Sequence, residues 1–138
     1  MTRSAPNDAP ARPAAQPRAP ARQPMRSRML PAAEPFRSAE EAWFWTMAGL
    51  RARRDGARST ANLGRTRRPC ELDDVVKCLD ELYRRRRIAL VHARILRVWG
   101  ERQTAPNPAY ATERVDCHLW REALERLEWP LRVKGIVA

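Results

Sequence analysis

The residue types with the clearest chemical potential in this sequence are arginines, which are concentrated in two runs. Residues 51–68 hold seven arginines and one acid, and residues 84–87 are four consecutive arginines. Because a guanidinium group is planar, permanently charged and able to donate two parallel hydrogen bonds, such runs indicate contact with phosphate groups, although coding bias would equally explain why 25 of the 27 basic residues are arginine. The candidate phosphate-binding residues are Arg51, Arg53, Arg54, Arg58, Arg65, Arg67, Arg68, Arg84, Arg85, Arg86 and Arg87.

The overall charge of the chain points to the same kind of partner. Lys and Arg together number 27 against 16 Asp and Glu in 138 residues, which gives a formal net charge of +11. This balance is typical of proteins that bind a polyanion, most often nucleic acid. The first arginine run would equally suit a solvated linker whose charge only improves solubility, so both interpretations stay open.

Three adjacent aromatic residues, Trp43, Phe44 and Trp45, form a second group with potential for binding. Successive residues of a helix point about 100° apart, so the three rings cannot all face the core. Trp43 and Trp45 are therefore candidate partner-binding residues, which could stack on a base or fill a groove of a protein partner. Core packing is the more common role of aromatic residues in a small domain, so their exposure decides between the two interpretations.

Motifs of catalysis and metal binding are sparse. The sequence holds no phosphate-cradling glycine loop, no nucleophile elbow and no HExxH helix. The potential zinc ligands are Cys70, Cys78, His92, Cys117 and His118. The first two are separated by seven residues, whereas structural zinc sites usually place two ligands about two to four residues apart. We therefore expect no catalytic residues, no metal and no cofactor.

The cysteines and the apolar runs bear on the compartment. Three cysteines cannot all pair within one chain, and the N-terminal region has no continuous apolar segment of the kind found in signal peptides. The longest apolar run, Ala42–Leu50, is too short to span a bilayer. These features favour a cytoplasmic protein with no membrane partner.

The spacing of apolar residues predicts the first two helices. Ser38 and Glu41 have the spacing of a capping box and predict a helix over residues 38–52. Apolar residues spaced by three and four predict a second helix over 71–86. The pairs Asp73/Lys77, Asp80/Arg84 and Glu81/Arg85 have i,i+4 spacing on this helix, so part of its charge has a structural explanation.

Two further helices follow. The same periodicity predicts a third helix over 88–99, with Gly100 as its stop. A fourth helix over 112–129 begins with a threonine that can cap it. Pro130 would start a last short turn, and residues 134–136 fit a C-terminal cap.

These elements predict an all-α fold: a small helical bundle of about four helices with an αα-hairpin or helix-turn-helix-like core. The bundle would occupy residues 36–138, include a basic loop at about 52–69, and follow a disordered Pro/Ala/Arg-rich arm of residues 1–35. We expect a non-enzymatic, bacterial-type nucleic-acid-binding protein, with DNA preferred to RNA, of the kind that regulates transcription. The alternative is an adaptor that docks on an acidic protein partner through exposed aromatic and C-terminal apolar surface.

Overall fold

Four α-helices account for most of the residues that the structure describes. The structure, a computed structural model, describes residues 32–56 and 66–138. The helices are α1 (Ala39–Arg54), α2 (Leu72–Arg84), α3 (Leu90–Arg102) and α4 (Arg114–Val133), and one turn of 3-10 helix, Ala111–Glu113, precedes α4. None of the described helices is both long enough and apolar enough to cross a membrane. The described residues contain no β-strand, so the predicted all-α fold with about four helices is confirmed.

The structure describes only parts of the two basic segments that the sequence predicts outside the helices, the N-terminal arm and the loop between the first two helices. The predicted disordered arm falls mainly on residues 1–31, and the middle of the predicted basic loop falls on residues 57–65; both lie outside the described residues. The residues from Ala33 to Ala138 belong to one compact unit. The loop starts later than predicted because α1 continues to Arg54. Arginine is a good helix former and is favourable in the last turn of a helix, so the extension fits the local sequence.

α1 begins where the sequence predicts, directly after Ser38. The Ser38 hydroxyl accepts a hydrogen bond from the Glu41 N–H at 3.2 Å and caps the helix. The Glu41 carboxylate accepts from the Arg37 N–H at 2.8 Å, one residue further back than in a capping box. The Ala39 N–H donates to Glu128 of α4 at 2.9 Å, so the start of α1 is also fixed to its neighbour.

Three buried tryptophans join the helices in the core, and each indole N–H has a partner. The indoles of Trp43, Trp99 and Trp120 donate to the Leu96 carbonyl, Asp116 and Glu40 at 2.8, 3.1 and 2.8 Å respectively. An unpaired polar group in a core costs about 1–3 kcal/mol, so these bonds specify how α1, α3 and α4 pack against each other.

The segment before α1 pairs with the segment after α4. A single parallel β-bridge links Phe36 to Val137. The Phe36 N–H donates to the Ile136 carbonyl at 2.8 Å, and the Ala138 N–H donates to the Phe36 carbonyl at 2.9 Å. The Arg68 guanidinium lies over the Phe36 ring at 4.2 Å from its centroid, so the segment before α2 joins the same cluster.

Gly100 does not end α3, which corrects the prediction. The helix continues to Arg102 and is followed by Gln103 in the left-handed conformation, with φ of 57°. At Gly100, α3 passes so close to α1 that a Cβ atom would lie 2.7 Å from both Met47 Cγ and Trp43 Nε1. The glycine therefore permits close helix packing rather than helix termination.

α4 also differs from its predicted bounds. The helix begins at Arg114, after the 3-10 turn that contains Thr112, so Thr112 is not its cap. It continues through Pro130 to Val133, although proline has no N–H to donate to the Arg126 carbonyl. The proline thus lies inside the last turns of the helix instead of starting a separate turn.

The predicted cap at residues 134–136 is present. Gly135 has a φ of 75°, a conformation that favours glycine. Its N–H donates to the Arg132 carbonyl at 3.0 Å, and the Ile136 N–H donates to the Leu131 carbonyl at 2.9 Å. This is the Schellman pattern, and Ile136 folds back into the core as its apolar contact.

Candidate nucleic-acid interface

Most of the described carboxylates make bonds that hold the fold together. Glu40 and Asp116 accept hydrogen bonds from buried tryptophans, and Asp80 and Glu81 pair with arginines of their own helix. Several exposed arginines have no carboxylate of the described residues within ion-pair distance, and they include Arg51, Arg54, Arg86, Arg87, Arg94 and Arg97. Arg37, Arg102, Arg114 and Arg121 are also exposed and have no such partner, so only part of the unpaired positive charge of the described residues is gathered in one place.

The turn that joins α2 to α3, which we name the arginine turn (residues 85–89), contains a left-handed residue. The Arg86 N–H donates to the Tyr83 carbonyl at 3.0 Å, and the Arg87 N–H donates to the Leu82 carbonyl at 2.8 Å. In this Schellman pattern the left-handed position is usually glycine, but here it is Arg86, with φ of 60°. The left-handed conformation costs a residue with a Cβ atom about 1–2 kcal/mol. α2 accordingly ends at Arg84 and not at residue 86.

Three contacts anchor the arginine turn to the domain. Ile88 is buried in the core. The Arg126 guanidinium of α4 donates to the Arg87 carbonyl at 3.2 Å. The Ala89 N–H donates to Nδ1 of His92 at 3.0 Å, which satisfies a free donor at the start of α3. The backbone of the turn is held in place while its arginine side chains stay exposed.

His92 and Glu122 connect the arginine turn to α4. Because His92 Nδ1 accepts from the backbone, the proton of the neutral ring is on Nε2, which donates to Glu122 at 2.6 Å. This hydrogen bond, together with the charges of Arg126 and the His118 ring, lowers the pKa of the Glu122 carboxyl below its ordinary value. The ionised carboxylate therefore keeps His92 in the orientation that caps α3.

The outer face of α3 carries two of the unpaired arginines. Leu90, Arg94, Arg97 and Glu101 are all exposed and follow i, i+4, i+7, i+11 spacing. Residues with this spacing form one line along a helix. Arg94 and Arg97 therefore point to the same side of α3, away from the buried Ile95 and its neighbours in the core.

The C-terminal ends of α1 and α3 form an open depression of about 800 Å³. It is lined by Arg51, Arg54, Arg97, Val98, Glu101 and Arg102. Four of these residues are arginines and one is an acid, so the depression is strongly positive. The negative ends of two helix dipoles partly offset the repulsion among the arginines. The depression suits an anion such as a phosphate group.

We name six of the unpaired arginines, Arg51, Arg54, Arg86, Arg87, Arg94 and Arg97, the α3 stripe. α3 has 13 residues, which corresponds to about 20 Å at the usual helical rise. The arginine turn lies at the start of this length and the depression at its end. Each strand of duplex DNA presents a phosphate about every 3.4 Å along the axis, so the stripe is long enough to meet several phosphates.

Three of the candidate arginines identified from sequence pair with carboxylates of α2 and lie outside the α3 stripe. Arg53 lies 3.3 Å from Asp73, Arg84 lies 2.7 Å from Asp80, and Arg85 lies 3.8 Å from Glu81. All six side chains are largely exposed, so each pair contributes at most about 1 kcal/mol. Two of the three predicted i,i+4 pairs of α2 are thereby confirmed, and the third is wrong, because Asp73 lies beside Arg53 of α1 and not beside Lys77.

Arg68 has a structural role. Its side chain is only 17% exposed, lies over Phe36 and donates to the Glu34 carbonyl at 3.2 Å. It holds the segment before α1 in place and does not face an open surface. Arg67 is exposed, and its carbonyl accepts from the Glu34 N–H at 2.8 Å. Arg58 and Arg65 lie outside the described residues.

Sequence reasoning missed Arg94 and Arg97, because neither belongs to a run of arginines. The available signal was their spacing: they occur three residues apart on the face of α3 opposite to Ile95 and Trp99. Because the two arginine runs lie near the two ends of α3, Arg94 and Arg97 on its polar face join them into one basic surface.

Trp43 and Trp45, the two candidate partner-binding residues, do not form an exposed aromatic surface. Trp43 is 4% exposed and donates its indole N–H inside the core, so it cannot contact a partner of the folded domain. Trp45 is half-buried, with its ring centroid 5.2 Å from that of Phe36. Core packing explains both residues. The most exposed tryptophan is Trp129, which is 69% exposed on α4.

Two of the cysteines are poor nucleophiles at neutral pH. Burial, aided by the carboxylates of Asp74 and Glu71, raises the pKa of the Cys70 thiol to about 11. Burial also raises the pKa of the Cys78 thiol. Thiolates are the form of cysteine that attacks electrophiles and binds metals. Over residues 32–56 and 66–138, no three His, Cys, Asp or Glu side chains are grouped so as to hold a metal ion.

The functional interpretation rests on the charge, the exposure and the unpaired state of the arginines in the α3 stripe. Comparisons of the chain with protein-family models, with curated proteins and with solved structures found no match.

Proposed function

We propose that this protein binds nucleic acid, with duplex DNA as the preferred form, through the α3 stripe. One observation supports the proposal above all: among the described residues, the six arginines of the α3 stripe and Arg102 are exposed, have no carboxylate partner, and lie on α3, in the arginine turn before it or on the adjoining end of α1. Neutralising phosphates releases counterions, and this release supplies most of the affinity of such surfaces. The net charge of +11 adds long-range attraction.

In this proposal α3 is the helix that approaches the DNA. α2 packs mainly on α1 and α4 and only slightly on α3, so α2 and α3 do not form a tightly packed hairpin. We propose that α2 and α3, joined by a short turn, act in a helix-turn-helix-like manner, with the exposed face of α3 in the major groove, which an α-helix fits. Arg86 and Arg87 would bind phosphates beside the groove, and a regulator of transcription is the role that this arrangement suits best.

The proposal is tested with the full chain and a fluorescently labelled DNA duplex of about two helical turns, by anisotropy at low salt. The variant Arg94→Glu/Arg97→Glu reverses two charges in the α3 stripe. The matched control Lys77→Glu/Arg121→Glu reverses two exposed, unpaired charges on α2 and α4. Circular dichroism checks that both variants stay folded.

We expect the stripe variant to bind at least about tenfold more weakly than the control, because contacts of this kind are typically worth about 1–3 kcal/mol. Equal losses in both variants would mean that only net charge matters and would contradict an interface on α3. No binding of the full chain at low salt would contradict the proposed function altogether. Competition by duplex RNA and by single-stranded DNA establishes the preferred form.

A further inference from the structure

The groove between α2 and α4 presents apolar side chains that the α3 stripe does not use. Trp129 and Val133 are 69% and 65% exposed and lie one turn apart on α4. With Leu82 and Pro130 they line a groove of about 570 Å³. Exposed tryptophan is uncommon on a soluble domain, and tryptophan is among the residues that contribute most at protein interfaces. We propose that this groove is the docking site for an acidic protein segment with an apolar anchor.

The charge around the groove identifies the chemistry of this occupant. The charged lining residues are Arg85, Arg87, Arg126, Lys134, Glu81 and Glu125. Glu81 is already paired with Arg85 at 3.8 Å and Arg126 with Glu122 at 3.7 Å, whereas Glu125 has no paired cation among the described residues, so the unpaired lining charges are two positive and one negative. Neither Arg87 nor Lys134 has a carboxylate partner among the described residues. An occupant that brings carboxylates would neutralise these two cations, whereas a basic segment would be repelled.

The two unpaired cations mark opposite ends of the groove. Arg126 bonds the Arg87 carbonyl at one end, and Lys134 lies beside Cys78 at the other. Lys134 directly follows the last residue of α4 and is eight residues from Arg126, so the Cα atoms of the two residues are about 12 Å apart along the helix axis. The occupant should therefore carry a carboxylate on either side of its apolar anchor. In an extended segment a distance of about 12 Å is spanned by about four residues.

A second copy of the chain fits the groove less well than an acidic segment does. In a symmetric dimer the same surface meets itself, so Arg87 and Lys134 of both copies would be brought together. Nucleic acid also fits less well, because the floor of the groove is apolar and mostly aliphatic, with Leu82, Pro130 and Val133. An acidic segment with an apolar anchor matches both the apolar floor of the groove and the two unpaired cations at its ends.

The test uses the full chain and labelled synthetic peptides in a binding titration. One peptide carries a leucine between pairs of glutamates at the spacing given above, a second has lysines in place of the glutamates, and a third has serine in place of the leucine. Trp129→Ala removes the apolar wall of the groove. Tyr110→Ala, which removes a 59% exposed aromatic ring elsewhere, is the matched control.

We expect the glutamate–leucine peptide to bind best and Trp129→Ala to weaken it at least about tenfold, with Tyr110→Ala unchanged. Lys134→Glu should weaken the same peptide, whereas Arg121→Glu should not. Absence of saturable binding, or equal binding of the lysine peptide, would overturn the proposal. So would a dimer in sedimentation that Trp129→Ala dissociates, or protection of Trp129 from quenching by DNA instead of by peptide. The peptide titrations and the sedimentation experiment do not depend on whether the α3 stripe binds nucleic acid.

Discussion

At Arg86 stability and binding are expected to oppose each other. This residue occupies the left-handed position of the arginine turn, with φ of 60°, where glycine would be less strained. Strained backbone often persists at positions where a side chain serves function. Arg86→Gly should stabilise the fold by about 0.5–1 kcal/mol in urea unfolding while it weakens DNA binding.

The matched variant is Arg87→Gly, at which φ is not positive. It removes the same charge from the same turn, so it should weaken binding similarly but should not stabilise the fold. If neither variant, or both variants, raised the free energy of unfolding, the left-handed backbone at Arg86 would not be the source of strain.

Glu122 gives a prediction for the pH dependence of stability. The pKa of its carboxyl is lowered in the folded state, chiefly by the hydrogen bond from His92. A lowered folded pKa means that the stabilisation is complete above the ordinary value of about 4.5 and is lost as the pH falls through the folded pKa. Glu122→Gln cannot titrate, so the stability difference between the two proteins should shrink as the pH is lowered from 6 towards 3. Parallel loss of stability in the two proteins would contradict this role.

At the scale of elements, Gly100 determines how closely α3 approaches α1. A methyl group there would lie 2.7 Å from Met47 Cγ and Trp43 Nε1. Helix propensity alone predicts that Gly100→Ala stabilises an interior helical position by about 1 kcal/mol. We expect the opposite sign, a loss of about 1–2 kcal/mol, because overpacking a core costs about 1–3 kcal/mol. A higher melting temperature for Gly100→Ala would refute the packing described here.

The elements that sequence analysis predicted well are those whose signals are local. The apolar periodicity of α2, the Ser38 cap and the cap at Gly135 act within a few residues, and all three are present. Gly100 and Pro130 were misinterpreted as helix ends because tertiary packing overrides a local breaker. The burial of Trp43 was left open for the same reason: it depends on the Leu96 carbonyl, which lies far away in the chain.

The candidate site was predictable only in part. The arginine runs identified four members of the α3 stripe, Arg51, Arg54, Arg86 and Arg87. Sequence could not separate them from Arg68, which lies over Phe36, or from arginines paired with α2 carboxylates. That distinction depends on which acids the fold brings close, and therefore on tertiary structure.

For the molecule as a whole, the charge distribution is the property on which the proposed function depends. The carboxylates mostly serve the core, the helix caps and the helix–helix contacts, while six of the unpaired arginines lie on the exposed face of α3, in the arginine turn and at the end of α1. An even distribution of the same charges would bind a polyanion weakly and without a defined orientation. If the α3 stripe acts as one surface, a single duplex must contact both of its ends.

The salt dependence of DNA affinity tests this claim most directly. On duplex DNA the logarithm of the binding constant falls with the logarithm of salt concentration with a slope of about −0.9 per phosphate contacted. Arg54→Gln/Arg87→Gln removes one cation from each end of the α3 stripe, and Lys77→Gln/Arg121→Gln removes two cations outside it. The first variant of the full chain should reduce the slope by about 1.8 and the second should leave it unchanged. A slope unaltered by the first variant, or reduced equally by both, would contradict the α3 stripe as the interface.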